Sequence, residues 1–594
     1  MSVRRLAVLA SLANCALVLA LGACRRTDPQ AKNSTPGDSA FAALSQEILH
    51  DYFRRHPSTS TLLGVHTYDS VLDDVRASAF EDEARADSGF RARLLGLDTT
   101  RLSLDQQLDR QLLIHAMDFG ILTDRVVKPF ASNPDYYSSG VTNAAYVIME
   151  REYAPATQRL TALIAREDSM PAALMRARAN LVNPPRVFTE IAIEQVDGDA
   201  NFFRHDVPAA FASVTDTALV RRFTASNAAV IQALAGYKTY LEHDLLPKST
   251  GSFALGADTY ARLLDAADMI DVPLPRLLAI AEADRQKNEA AFEAAARQID
   301  STRPADSVLA SLQREHPAPN ALLATTQSVL DSLRQFVIDH HIVTIPPSEP
   351  AHVIETPPFE RSTTTASMDT PGPFETAKLT GYYNVTLPDP RWPNAEQQEY
   401  MKMWYPASMS NVSVHEVYPG HYIQFLYAKN FPSDVRKVFG ANTNIEGWAH
   451  YDEQMMLDEG FHAGDPKYRL AQLQDALLRD VRFQVGIKLH TQGLTIDSAT
   501  KLFETEGHQP HPVAVAEAKR GAGDPLYGYY TMGKLMILKL REDYKAKQGA
   551  SYTLQGFHDA FLALGPLPLP LIRRAMLGQS GELFPDMSHG HGAL

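Results

Sequence analysis

Pro419 and Gly420 stand in the middle of a stretch otherwise patterned as helix, VSVHEVYPGHYIQFLYAKN (residues 412–430). No other feature constrains the chain as sharply. Proline lacks the N–H that the carbonyl of residue 415 would receive, and its ring crowds that carbonyl, so the helical ladder has to open there. His415 and His421 flank the opening. Across an unbroken helix six residues turn a side chain by about 240°, and the two imidazoles would diverge. One helix with a two-residue bulge at the Pro-Gly step brings His421 back beside His415, with Gly420 taking a positive φ. If His421 instead starts a new helix, the two rings point apart.

The rest of the pattern is mainly helical. From 41 to 345, segments such as FAALSQEILHDYFRRH, DQQLDRQLLIHAMDFGIL and LPRLLAIAEADRQKNEAAFEAAARQI carry apolar residues at three- and four-residue spacing, with Pro and Gly at the joins. There is no fixed-period repeat. From 346 to 392 proline is too frequent for a long helix, and GYYNVTL (381–387) reads as a short strand. Helical periodicity then resumes. The expected fold is mainly α with a small β-sheet: a helical lobe over 41–345, a second lobe over 346–585 that carries the chemistry, and a flexible tail over 586–594 in which His589 and His591 fray.

The first 23 residues belong to neither lobe. A basic start, MSVRR, precedes the apolar LAVLASLANCALVLA and then LGAC, which together read as a secretory leader. LGAC resembles the lipobox of bacterial lipoproteins, in which the cysteine is acylated and becomes the new N-terminus; here that residue is Cys24. By the same resemblance Arg25, standing where an inner-membrane protein commonly has Asp, implies the outer membrane of the bacterial envelope. Residues 24–40, polar and containing Pro, Ser and Gly, read as a tether. Cleavage removes Cys15 and acylation consumes Cys24, which excludes disulfides, a cysteine nucleophile and cysteine-held zinc. With a net charge of −14 and no basic tract, nucleic acid is excluded as a partner. No later apolar run is long enough to span a membrane.

Glu416 follows His415 directly, where zinc hydrolases place the base that takes a proton from metal-activated water. Twenty-five residues past His421 lies Glu446, in NIEGWAHYDEQ, and a carboxylate on a second helix completes a His-His-Glu zinc site with one position open. Glu453 shares a helix face with Glu446 and is placed to fix a ligand histidine from behind. His450 also shares that face, and is read as packing or as a partner behind the ligands.

Three blocks, HEVYPGHYIQ, EGWAHYDE and the segment from Arg520 through Pro525 to Tyr530-x-x-Gly533, together resemble a widespread bacterial family of unknown function, domain-of-unknown-function 885. That family is grouped with the gluzincin-like zinc metallopeptidases, and the resemblance covers nearly the whole mature chain. It implies His415, His421 and Glu446 as ligands of a zinc ion (Zn2+), Glu416 as the base, and a groove between lobes. Two departures stand out. Tyr422 replaces a second adjacent histidine, and Gly521 replaces a tyrosine, with one residue fewer between Pro525 and Gly533. Tyr530 then aligns as the family tyrosine, with Tyr529 a close rival. A tyrosine hydroxyl suits an oxyanion donor; Arg520 binds a substrate carboxylate or simply fixes the tyrosine. GYYNVTL corresponds to the edge strand that pairs with substrate in gluzincins, which implies that Asn384 contacts substrate.

Other pieces carry less. The adjacent histidines of DHHIVTIP cannot share a helix face, no G-x-S-x-G occurs, GSFALG opens no phosphate loop, and MKMWYP reads as core. The leading expectation is a lipid-anchored zinc metallopeptidase acting on peptides. The alternatives are a zinc amidase on a small non-peptide amide and a non-catalytic surface binding protein with a degenerate site.

Overall fold

The computed structural model describes residues 36–586, apart from 349, 357–360, 362–363 and 378–379. The leader, Cys24, most of the tether and residues 587–594 lie outside the described residues. The architecture is mainly helical with one three-stranded sheet, an α+β fold.

The first helix, Pro36–Arg55, begins inside the stretch read as tether. Its apolar face starts only at Phe41 and runs through Leu44, Ile48, Leu49, Tyr52 and Phe53, all buried. A proline-led first turn needs no apolar face of its own, so periodicity alone underestimates where the helix starts.

One large core runs from Phe41 through Leu113, Leu264, Val337 and Tyr383 to Phe584, crossing residue 345. A second lies within residues 137–245, where the helices Asp135–Met149, Arg186–Ala210 and Thr217–Tyr240 pack together. The buried guanidinium of Arg436 ties the early helix Leu104–Leu122 to the second half of the chain through Asp109 (2.6 Å) and Asp105 (2.8 Å).

The sheet has the order β1-β3-β2: β1 (His352–Glu355) parallel to β3 (Tyr382–Val385), and β2 (Ala366–Asp369) antiparallel to it. GYYNVTL therefore supplies the central strand, not an edge. Tyr383 and Val385 are wholly buried, as a doubly flanked strand requires. The sequence hid β1 and β2 because each is four residues long and set among Pro, Ser and Thr. β2 is the strand that borders the helix carrying His415.

Four helices frame that region: the His415 helix (Pro406–Glu416), the Glu446 helix (Asn442–Asp458), the Arg479 helix (Pro466–Thr491) and the Tyr530 helix (Tyr529–Gln548). The Glu446 and Tyr530 helices cross backbone to backbone. A Cβ on Gly533 would sit 1.9 Å from the carbonyl oxygen of Thr443, and one on Gly447 would sit 2.5 Å from the Cα of Gly533. A buried polar cluster joins the Arg479 and Tyr530 helices to Leu274–Ile299: Lys534 to Asp284 (2.9 Å), Asn288 to Asp480 (2.7 Å) and Thr531 to Asp480 (3.0 Å).

The crossing predicts opposite outcomes for two helical glycines. Gly533→Ala forces the helices apart and should destabilise the fold by about 1–3 kcal/mol, the usual scale of overpacking. Gly198→Ala, on Arg186–Ala210, meets nothing within 4 Å and should be neutral or stabilising. Calorimetric melting of both variants decides the matter; equal melting temperatures would contradict the tight crossing.

Candidate metal centre

The His415 helix ends at Glu416, because Val417 leaves helical geometry (φ −124°, ψ −73°). The Tyr418–Pro419 peptide is cis, and a new helix, His421–Tyr427, starts after Gly420. Residues 417–420 fold back under the end of the first helix. Val417 N and Tyr418 N both donate to the carbonyl of Ser413 (3.0 and 3.2 Å), and Gly420 N donates to that of Val414 (3.1 Å). The segment is thus two helices, not one helix with a bulge, and yet the imidazoles converge. Their ring centroids lie 4.9 Å apart, with planes at 88°.

Gly420 has φ −62°, so the expected positive φ is not what requires glycine. The requirement is space: a Cβ there would lie 1.8 Å from the carbonyl oxygen of His415 and 2.5 Å from that of Val414. The turn is also held from outside. Trp448 Nε1, on the Glu446 helix, donates to the carbonyl of Pro419 at 3.1 Å. The tryptophan of EGWA thus braces the proline of HEVYPGH.

Glu446 meets both histidines. Its Oε2 lies 3.5 Å from Nε2 of His415 and 3.5 Å from Nε2 of His421. The three ligand-type atoms fall within 4.8 Å of one another, and the three residues are buried to 7–8% exposure. Behind His415, Glu453 accepts from Nδ1 at 2.7 Å, which turns Nε2 toward Glu446. Glu453 is itself held by Arg479 (3.0 and 3.3 Å), by Nδ1 of His450 (3.2 Å) and by Asn411 (3.3 Å). His450 is wholly buried and lies outside the ligand cluster; burial, only partly offset by Glu453, drives its imidazole down to about 3.

The electrostatics separate the three carboxylates. Burial alone would raise Glu446, but the imidazoles of His415 and His421, facing it at 3.5 Å, hold it well below the usual carboxylate range. Burial is likewise outweighed at Glu453, chiefly by Arg479 and His450. Glu416 goes the other way: burial raises its carboxyl, and the neighbouring histidines offset only part of that. The backbone N–H of Met368 on β2 faces it and works against that rise. Burial disfavours a charged His415, yet Glu446 and Glu453 push its imidazole up to about 9. A cation entering between the ligands would displace that proton.

Tyr530 and Tyr529 part company. The ring of Tyr530 lies 6.4 Å from that of His415, with the guanidinium carbons of Arg479 and Arg482 at 5.4 and 5.2 Å from its centroid. Tyr529 turns its hydroxyl to Asp524 (3.3 Å) and receives Arg520 Nη2 (3.2 Å). Arg520 also bonds Asp524 (3.3 Å) and faces Tyr530. Asn384, 2% exposed on the central strand, donates to Ser367 Oγ at 3.3 Å, so the sheet's border with the site belongs to β2 instead. Sequence reasoning missed Asn411, Arg479 and Met368. Arg479 and Asn411 are isolated polar residues in helices and belong to no spaced motif, and Met368 acts through its backbone.

A model of the family "Bacterial protein of unknown function (DUF885)" matches residues 57–576. Two solved structures share the fold. A candidate lipoprotein of unknown function from Shewanella oneidensis superposes with a TM-score of 0.77 at 24% identity, over 90% of this chain and 99% of that one. A candidate lipoprotein from Colwellia psychrerythraea gives 0.78 at 18% identity, over 92% and 99%. No curated protein matches the chain.

Because the space beside Gly420 is filled by His415's own backbone, Gly420→Ala is expected to push the two histidines apart. The destabilisation should be about 1–3 kcal/mol. A crystal structure of the variant with both imidazoles in place, together with an unchanged melting temperature, would show that the close approach is not limiting.

Proposed function

Since the chain belongs to the DUF885 family of bacterial proteins of unknown function, its activity has to be read from its own site, and we propose a zinc-dependent hydrolase of amide bonds, acting on peptides. One observation carries the reading: His415 Nε2, His421 Nε2 and a Glu446 oxygen facing a common point, with Glu416 next in sequence to the first ligand. The spacing fits the ion. Two ligand atoms held tetrahedrally at zinc bond lengths lie about 3.3 Å apart, against 3.5 Å here from Glu446 to each histidine. The same 3.5 Å is long for a hydrogen bond, and two imidazoles with one carboxylate form a donor set that zinc accepts.

When bound, zinc supplies Lewis acidity and brings the ionisation of water toward neutral pH. The chain's own groups do the rest. Glu416, raised by burial, accepts a proton from the attacking water and passes it to the leaving amine. The Tyr530 hydroxyl donates to the oxyanion that develops on the substrate carbonyl. β2, an edge strand beside the His415 helix, offers backbone groups to an extended chain, and this favours a peptide over a compact amide. Arg520 steadies the tyrosine pair or receives a substrate carboxylate. The resemblance of LGAC to a lipobox supports anchoring through Cys24 in the bacterial envelope, Arg25 favours the outer membrane, and no described helix is long and apolar enough to cross a membrane.

Two predictions follow from these roles. Ala at His415, His421 or Glu446 should abolish stoichiometric zinc in elemental analysis of the purified chain. Glu416→Gln should keep the metal and lower turnover of a peptide-library substrate by about 10²–10⁴-fold. Metal loss in Glu416→Gln with retention in Glu446→Ala would reverse the two assignments. Separately, Cys24→Ser should lose incorporation of a labelled fatty acid, and undiminished labelling would overturn the anchor.

A further inference from the structure

We infer that Arg479 is a positioning residue that couples the two halves of the centre, fixing Glu453 against His415 on one side and the ring of Tyr530 on the other. Its consequence for metal affinity rests on the zinc reading above; its geometry does not. Arg479 projects from the Arg479 helix with 12% of its side chain exposed. Nη2 lies 3.0 Å from Glu453 Oε1, and Nη1 donates to Oε2 at 3.3 Å, so the planar guanidinium spans both carboxylate oxygens. Nη1 also donates to the carbonyl of Asp475 (3.2 Å), which locks the guanidinium to its own helix. The carboxylate so gripped is the one that accepts from His415 Nδ1 at 2.7 Å. Over the ring of Tyr530 the same guanidinium sits 5.4 Å from the centroid, within cation–π reach.

Arg482, one turn further along the helix, sharpens the assignment. It flanks the same ring at 5.2 Å, but its guanidinium is taken by Glu517 (2.7 Å at both nitrogens), which touches no candidate ligand. Arg479 alone of the two reaches both a ligand histidine's partner and the tyrosine. A lysine could supply the charge but not the fork that bridges two oxygens while lying over a ring.

The test uses the purified full chain and zinc alone, with affinity measured by competition with a chromogenic chelator and ligand geometry by the absorption bands of cobalt-loaded protein. Arg479→Met is expected to weaken zinc by about 10–100-fold, the usual effect of removing a partner behind a metal ligand. It should also shift the cobalt bands. Arg479→Lys should recover part of the affinity, and a crystal structure of Arg479→Met should show Glu453 turned from His415 and Tyr530 displaced. Should Arg479→Met fail to fold, with Glu453 left buried and unpaired, Arg479→Met/Glu453→Gln removes both charges and should still bind zinc weakly. Wild-type affinity with unchanged cobalt bands in whichever variant folds would overturn the inference. A wild-type chain that takes up no zinc would overturn the metal reading instead, and the variant's crystal structure would then decide the positioning role by itself.

Discussion

The contact of Gly447 with Gly533 is the constraint on which the rest of the centre depends. Two helices usually pack 8–10 Å apart because side chains hold them off. Here neither helix has a side chain at the crossing, and the backbones meet. Glu446 precedes one of these glycines and Tyr530 lies three residues before the other, so the close crossing draws both toward His415. Backbone contact also narrows the choice of register: a helix sliding by one residue would bring a β-carbon into a space that has none. The glycines of EGWA and Tyr-x-x-Gly are thus packing residues whose effect is the geometry of the candidate metal centre.

Around that crossing the structure buries charge generously. Glu453 with Arg479, and Lys534 with Asp284, lie almost wholly out of water. Buried pairs of this kind add little net stability, since desolvation takes back most of what the pairing contributes. What they add is definition. A carboxylate with four partner residues on three helices has one place to be, and His415 is fixed by it. Glu416 is treated differently: buried, with its neighbours offsetting only part of that burial, it keeps its affinity for a proton. Glu453 and Glu416, both buried, are thereby shifted in opposite directions.

Where reading the sequence went astray, the causes are specific. GYYNVTL was matched to the edge strand of gluzincins by resemblance, whereas it is the central strand here and the edge beside the His415 helix is ASMD. Gly420 looked like a residue chosen for its φ, whereas it is chosen because the carbonyl of His415 occupies the place of a Cβ. The Gly420 reading failed because a local pattern reports on backbone preference and says nothing of what comes to lie beside it.

By itself, the sequence determined that the chain is mainly helical, that the helix after His415 must open at Pro419, and that His415, Glu416, His421 and Glu446 are the residues worth watching. Periodicity, a missing N–H and motif spacing are all local properties, and local properties survive in one dimension. Only the tertiary structure decided that the break is two helices which bring the imidazoles together, that Trp448 braces the turn, and that Tyr530 rather than Tyr529 adjoins His415. It alone picked Arg479 from among many arginines. These outcomes depend on contacts between residues dozens of positions apart, where the energy lies in close packing and desolvated charge, and neither leaves a periodic trace in the chain.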